Sequence, residues 1–262
     1  MTDWREKWGQ RIMEIPDRIR KQRPLVHMIP NSVTVSLCTD GLSALGARPL
    51  MAKAPEEMEE IVSYADALVV NMGQPDAEKL KAAEIALRTA EKRKMPTVWD
   101  PVGAGASRYR KEACQKLLCL PWTGIVKGNR SEIAALQTEL LPHHGIDAVG
   151  EVVVQYHAED QRIWAVSGKE DVVFSKEEHW HLSHEEGKKL ILTGTGCLTG
   201  AVMGACHAVE EDPMVAAMAA FVIMASAGRE AGKQCGYGSQ KTALLDALTK
   251  VSEMVEDTLL KC

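Results

Sequence analysis

The sequence holds no C-x-x-C pair, no H-E-x-x-H or similar histidine spacing, and no block of lysine and arginine. Each absence excludes a class of function. Seven cysteines without paired spacing give neither a disulfide framework nor a zinc ribbon, and they fit a reduced, cytoplasmic setting. The histidine spacing supports no histidine-ligated metal. A net charge of −5 with a pI near 5.9 offers no general attraction to phosphate backbones, so nucleic acid is not an expected partner. No uncharged run reaches the roughly 20 residues that span a bilayer as a helix. The most apolar stretch, Met214 to Gly228, therefore reads as a buried helix, and no membrane partner is expected. Residues 1–22 are densely charged, lack the apolar core of a secretory signal, and read as a charged N-terminal helix. No repeat, Gly/Ser linker or low-complexity tract divides the chain, which predicts a single domain over residues 1–262.

What is present is a globular balance, 45% apolar and 26% charged, arranged as short apolar runs alternating with longer amphipathic segments. Ala67 to Asn71 reads as a strand, Asp76 to Lys94 as a helix with an acidic start and a cationic end, and Pro96 to Asp100 as a second strand. A helix over Arg108–Leu118, a strand at Gly124–Val126 and a helix opening at Ser131 as its cap continue the pattern. Such alternation predicts an α/β fold with a mostly parallel, doubly wound sheet. Glu151 to Tyr156 is assigned to a crossover helix leading into a strand at Arg162–Val166, because parallel strands need one. Asp171–Phe174 and Trp180–Leu182 read as short antiparallel strands, and Leu190–Leu192 as a further strand. Two long helices follow, Gly196–Val209 and Pro213–Lys233, the second capped by Asp212 and ending near Gly232.

In open α/β sheets ligands bind at the carboxyl ends of the strands, so polar and glycine-rich residues there take priority. Gly194-Thr195-Gly196-Cys197 opens a helix of small residues, where free N–H groups and the positive dipole end can hold an anion. The pattern Gly-x-Gly-x-x-x-Gly is neither a P-loop nor a dinucleotide fingerprint, and a tight packing turn accounts for it equally well. Asp100, at a strand end before a glycine-rich loop, can serve Mg²⁺ or cap that loop. Lys127 to Glu132 brings two cations and a carboxylate to another strand end, where Glu132 can also simply complement the helix dipole. Ser167 to Asp171 is either a site loop or a hairpin turn. A thiol at a helix N-terminus can have a lowered pKa, which makes Cys197 a candidate proton acceptor, with a small packing residue as the alternative. Together these features meet the needs of phosphoryl transfer: a cation bridging phosphates and donors to hold them.

The series Pro24-Leu25-Val26-His27, Asn31-Ser32-Val33-Thr34, Ala44 to Ala52, Asn71-Met72-Gly73, Asp100 to Gly105, Gly128 to Ile133 and Thr193 to Cys197 resembles the hydroxyethylthiazole kinase family of the ribokinase-like superfamily. The likeness runs from about Pro24 to about Leu248. It implies a three-layer α/β/α sandwich, transfer of the ATP γ-phosphate to the hydroxyl of 4-methyl-5-(2-hydroxyethyl)thiazole in thiamine salvage, Mg²⁺ as cofactor, and a homotrimer with active sites between subunits. By motif, Asn31, Met51 and Gly194 would contact the thiazole, and Lys127 and Ser167 would contact ATP. Asp100 and Glu132 would serve the magnesium–phosphate end, Gly194 to Cys197 would form the anion hole, and Cys197 would be the catalytic residue. Pro30 and Ser32 depart from the Thr-Asn usual there, and proline removes an N–H. Lys127 replaces an arginine and loses its bidentate fork. Two alternatives remain at this level: a kinase for another small heterocyclic alcohol, and a weakly catalytic thiazole- or nucleotide-binding sensor.

Overall fold

In the computed structural model, residues 3–138, 156–183 and 190–260 are described. The first half builds the parallel part of the sheet: α1 (Trp4–Gln22), β1 (Leu25–Ile29), α2 (Val35–Leu45), β2 (Arg48–Met51), α3 (Met58–Tyr64), β3 (Ala67–Asn71), α4 (Ala77–Arg93), β4 (Thr97–Asp100), α5 (Arg108–Leu118), β5 (Ile125–Asn129) and α6 (Arg130–Gln137). The second half supplies β6 (Ile163–Ser167), β7 (Glu170–Phe174), β8 (His179–Ser183), α7 (Thr195–Val209), α8 (Pro213–Ala231), α9 (Tyr237–Thr249) and α10 (Val255–Leu259). One eight-stranded sheet runs in the order β2-β1-β3-β4-β5-β6-β7-β8. Pairs from β2 through β6 are parallel, while β7 and β8 fold back antiparallel as the sequence predicts.

Neighbouring residues of each central strand enter different cores, which is why these strands read as unbroken apolar runs. Val69, Val98 and Ile125 join the core shared with α1, α2, α7, α8 and α9, whereas Leu68, Val70, Trp99 and Val126 join the core under α3 to α6. The result is the expected three-layer sandwich. The charged helix α1 buries only its apolar stripe, including Trp8, Ile12, Ile15 and Ile19, and Asp3 caps it by accepting from Arg5 N–H. Helix α8 has 19 residues and enough apolar character to cross a bilayer by length and composition, yet 78% of its most apolar window is buried inside the protein. Helix α7 lies close on β3 because Gly204 has no Cβ; one added there would collide with Val69 Cγ2.

Three local assignments change. Strand β5 begins at Ile125 and continues to Asn129, so Lys127 belongs to the strand. Helix α6 is capped by Asn129, not Ser131: the Asn129 side chain accepts from Glu132 N–H while Glu132 Oε2 accepts from Asn129 N–H, a reciprocal capping box. Leu190–Leu192 is not a strand; its backbone is met by side chains, with Ile191 N–H donating to Gln240 Oε1 at 3.0 Å. Of the predicted crossover helix Glu151–Tyr156, residues 151–155 lie outside the described residues, and Tyr156 is not helical.

Candidate active site

The carboxyl ends of β1, β3, β4, β5 and β6 meet the start of α7 around a cavity of about 600 Å³. Asn31, Asp100, Lys127, Glu132, Ser167 and the turn Gly194–Cys197 all line it. Met51 does not; it ends the edge strand β2, half-buried and outside the cavity lining. A larger groove of about 1270 Å³ opens at the opposite edge of the sheet. Its buried Glu210 carboxylate is already engaged, since Arg11 and Arg18 both donate to it, at 2.5 and 3.0 Å.

The glycine-rich turn is held by backbone geometry. Gly194 caps α7 at φ 92°, a left-handed conformation, and a Cβ there would lie 2.6 Å from Thr34 Cγ2. No side chain caps the helix, so its first N–H groups face the cavity end without an intramolecular partner of that kind. Beneath the turn, Lys127 is 2% exposed; its Nζ donates to Gly196 O at 2.8 Å and stands 3.9 Å from Asp100 Oδ1. Burial pulls the Lys127 pKa down, but the Asp100 and Glu132 charges outweigh it and the net direction is upward.

Asp100 is 1% exposed and accepts from Asn71 Nδ2 at 2.9 Å through Oδ2, while Oδ1 has no hydrogen-bond partner. Burial, with the Glu132 charge added, pushes its pKa up to about 7 against the pull of Lys127. Glu132 is committed on both oxygens, accepting from Gly103 N–H at 2.9 Å and Asn129 N–H at 2.8 Å. For a divalent cation these two carboxylates fit a magnesium–phosphate pattern, with few protein oxygens and the rest from water and phosphate. The buried, orphaned Asp100 Oδ1 is the available ligand atom. Glu132 lies in the same lining as the second carboxylate.

Asn31 organises the other flank. Its Oδ1 accepts from Val33 and Thr34 N–H, which fixes the amide orientation, and its Nδ2 faces Thr34 Oγ1 (2.8 Å), Asn71 Oδ1 (2.9 Å) and Cys197 Sγ (3.5 Å). A polar chain therefore runs from Asp100 through Asn71 and Asn31 to Cys197. The Cys197 thiol is 8% exposed, and its pKa is raised by burial and then by the Asp100 charge. This overturns the lowered pKa expected of a helix N-terminus: desolvation and a nearby carboxylate outweigh the dipole and Lys127.

Ser167 closes β6 at the cavity, and the residues after it form the β6–β7 turn, so the site loop and the hairpin are the same segment. Three contributors had no role assigned from sequence. Asn71 sits at a predicted strand end and was legible by position. Lys79 is buried in the first turn of α4, where its Nζ donates to Pro30 O at 2.8 Å and Gly73 O at 2.5 Å, with burial lowering its pKa to about 8. Gln74, at φ 54°, accepts through Oε1 from Ser32 N–H and Oγ–H at the cavity mouth. Side-chain reach across loops carries no periodic trace in sequence.

Comparison with known proteins gives the same picture. The profile of the Hydroxyethylthiazole kinase family matches residues 17–254. The chain is similar to the hydroxyethylthiazole kinase protein from Pyrococcus horikoshii OT3, with 30% identity, a TM-score of 0.79, and coverage of 92% of this chain and 93% of that one. Two more distant likenesses bear on the fold alone. An ADP complex of Bacillus subtilis pyridoxal kinase has 15% identity, TM-score 0.56, and coverage of 79% and 91%. A ribokinase-like superfamily protein from Enterococcus faecalis V583 has 12% identity, TM-score 0.61, and coverage of 88% and 89%. A family match over nearly the whole chain, joined to a glycine-rich turn and a buried acid at the strand ends, shows that this chain belongs to the hydroxyethylthiazole kinase family.

Proposed function

We propose that this protein transfers the γ-phosphoryl group of ATP to the hydroxyl of 4-methyl-5-(2-hydroxyethyl)thiazole, the salvage step that supplies thiazole phosphate for thiamine. The observation that carries this reading is the meeting of Gly194–Cys197, Asp100, Glu132, Lys127, Ser167 and Asn31 around one cavity. The chain's residues divide the work by strand. Asn31 and Gly194 flank the alcohol, Ser167 and Lys127 serve the nucleotide side, and the α7 N–H groups hold the phosphoryl oxygens between them. Asp100 and Glu132 would hold Mg²⁺, which when bound neutralises phosphate charge.

Cys197 takes the hydroxyl proton only as the thiolate, and in the free protein burial and Asp100 favour the thiol. Neutralising the Asp100 charge removes one of those two forces. Met51, outside this cavity on the edge strand, would meet a neighbouring subunit's site in a homotrimer. Sedimentation velocity tests that arrangement. The free thiols of Cys38, Cys114, Cys119, Cys197, Cys206 and Cys235 support a reducing, cytoplasmic setting, and one kinase domain over residues 1–262 is the simplest organisation. The decisive assay is purified protein with Mg²⁺, ATP and the thiazole alcohol, following ADP release and the phosphorylated product by mass. No product at saturating substrates sinks the assignment.

A further inference from the structure

Arg110 lies in the first turn of α5, half-buried, and is one of the residues lining the same cavity. Its Nη1 donates to Val102 O at 3.3 Å, a long bond, and Nε and Nη2 have no partner among the described residues. The other cation of the lining, Lys127, is 3% exposed at its side chain and already engaged with Gly196 O and Asp100. Among the described lining residues, Arg110 is thus the cation whose donors remain to be spent, in a lining that also holds Asp100, Glu132 and the glycine-rich turn.

Its place along the sheet narrows what it meets. Asn31 and Asn71 come from the ends of β1 and β3, and Lys127 and Ser167 from β5 and β6. Strand β4 lies between them, and Arg110 reaches back to Val102 just beyond its end. A phosphoryl group passing from a nucleotide on the β5–β6 side to an alcohol on the β1–β3 side crosses this middle position. We propose that Arg110 is a catalytic residue that grips the transferred phosphoryl group, an assignment that rests on the kinase reading above. In the transfer, the bond between the γ-phosphorus and the β,γ-bridging oxygen breaks, and that oxygen leaves with ADP carrying the electron pair. The bond from the substrate oxygen to phosphorus forms, and the hydroxyl proton passes to the Cys197 thiolate and from there to solvent. Arg110 exchanges no atom. Its planar, permanently charged fork binds two non-bridging oxygens and compensates charge as the group moves.

The test compares wild type with Arg110→Ala and Arg110→Lys. Arg110→Ala is expected to lower kcat by roughly 100-fold while KM for the alcohol stays within about threefold, because one transition-state donor is lost. In calorimetry with Mg²⁺, wild type should bind the β,γ-imido ATP analogue more tightly than ADP, and Arg110→Ala should lose that difference while keeping its ADP affinity. Added guanidinium should restore part of the turnover of Arg110→Ala, and Arg110→Lys should recover only part of it. A kcat within about fivefold of wild type overturns the proposal. So does an equal loss for ADP and the analogue together with no guanidinium rescue, the signature of a merely structural arginine. If wild type phosphorylates no thiazole alcohol but loses its preference for the analogue on Arg110→Ala, the thiazole reading fails and the assignment of Arg110 stands.

Discussion

Asp100 is buried in the site with one oxygen orphaned, and its pKa of about 7 stands far above the ordinary 3.8. Between those two values the native protein keeps a proton that the unfolded chain has lost. Stability therefore falls as pH rises through that window and levels off above about 7. At about 1.4 kcal/mol per tenfold, the separation corresponds to a penalty on the order of 4 kcal/mol at pH 8. Asparagine carries no charge to bury and can still accept from Asn71. Its NH₂ would face the Lys127 ammonium, offsetting about 1 to 2 kcal/mol. Asp100→Asn is thus expected to gain roughly 2 to 3 kcal/mol at pH 8, raising Tm by about 5 °C or more, while turnover is mostly lost. Thermal unfolding at pH 8 and pH 5 checks the sign, because by pH 5 the native wild type is largely protonated at Asp100 and the advantage shrinks. An unchanged or lower Tm at pH 8, or a gap that does not narrow by pH 5, refutes the reasoning.

Other outcomes follow from the same geometry. Asp100→Asn removes a charge that raises the Cys197 pKa, so the pH midpoint of Cys197 alkylation by iodoacetamide should move down; an unmoved midpoint argues against coupling between the two. Gly194→Ala places a Cβ 2.6 Å from Thr34 Cγ2 at φ 92°, and kcat should fall about 100-fold through loss of the anion turn. Gly204→Ala should destabilise the fold by about 1 to 3 kcal/mol in urea titrations, and Val69→Ala in the same chain should restore much of it, because Val69 Cγ2 is the obstacle. Lys79→Met leaves Pro30 O and Gly73 O without their donor. A loss of about 2 kcal/mol and a raised KM for the alcohol are expected, read by denaturation and steady-state kinetics.

The sequence carried those parts of the fold whose causes are local. Asp76 and Lys94 bound α4 as N-cap and left-handed C-cap, Asp212 and Pro213 open α8, and the α5 boundaries coincide with the expected ones. Where partners come from far along the chain, local pattern failed. Leu190–Leu192 has the composition of a strand, but the sheet ends at β8; Ile191 N–H is met by Gln240 of α9, and the following Thr193 N–H by Tyr237. At the start of α6, Asn129 and Ser131 both have capping chemistry. The length of β5 decides between them, and Ser131 Oγ is left to donate to Asn129 Oδ1. In the site, the residues expected from motif gather at one strand edge apart from Met51, because parallel topology brings strand ends together whatever their separation in sequence.

The same topology explains why Cys197 was misjudged electrostatically. A helix start seen alone favours an anion, and that view holds for a ligand arriving from solvent with its own counter-charge. Cys197 has no such compensation: it is buried, Lys127 beneath it is bound to Gly196 O, and Asp100 adds a like charge to any thiolate. What the strand ends assemble is a group of charges whose mutual pKa values lie far from their ordinary ones. Asp100 is pushed to about 7 and Lys79 to about 8, while the Cys197 thiol is raised. Each departure disfavours a charged form in the free protein. Lys79 stands outside the cavity lining with its Nζ bonded to Pro30 O and Gly73 O, so the group a ligand can relieve is the buried acid. A cation carried in with phosphate is the class of ligand that does so, which makes the raised Asp100 pKa an argument for phosphoryl transfer at this edge.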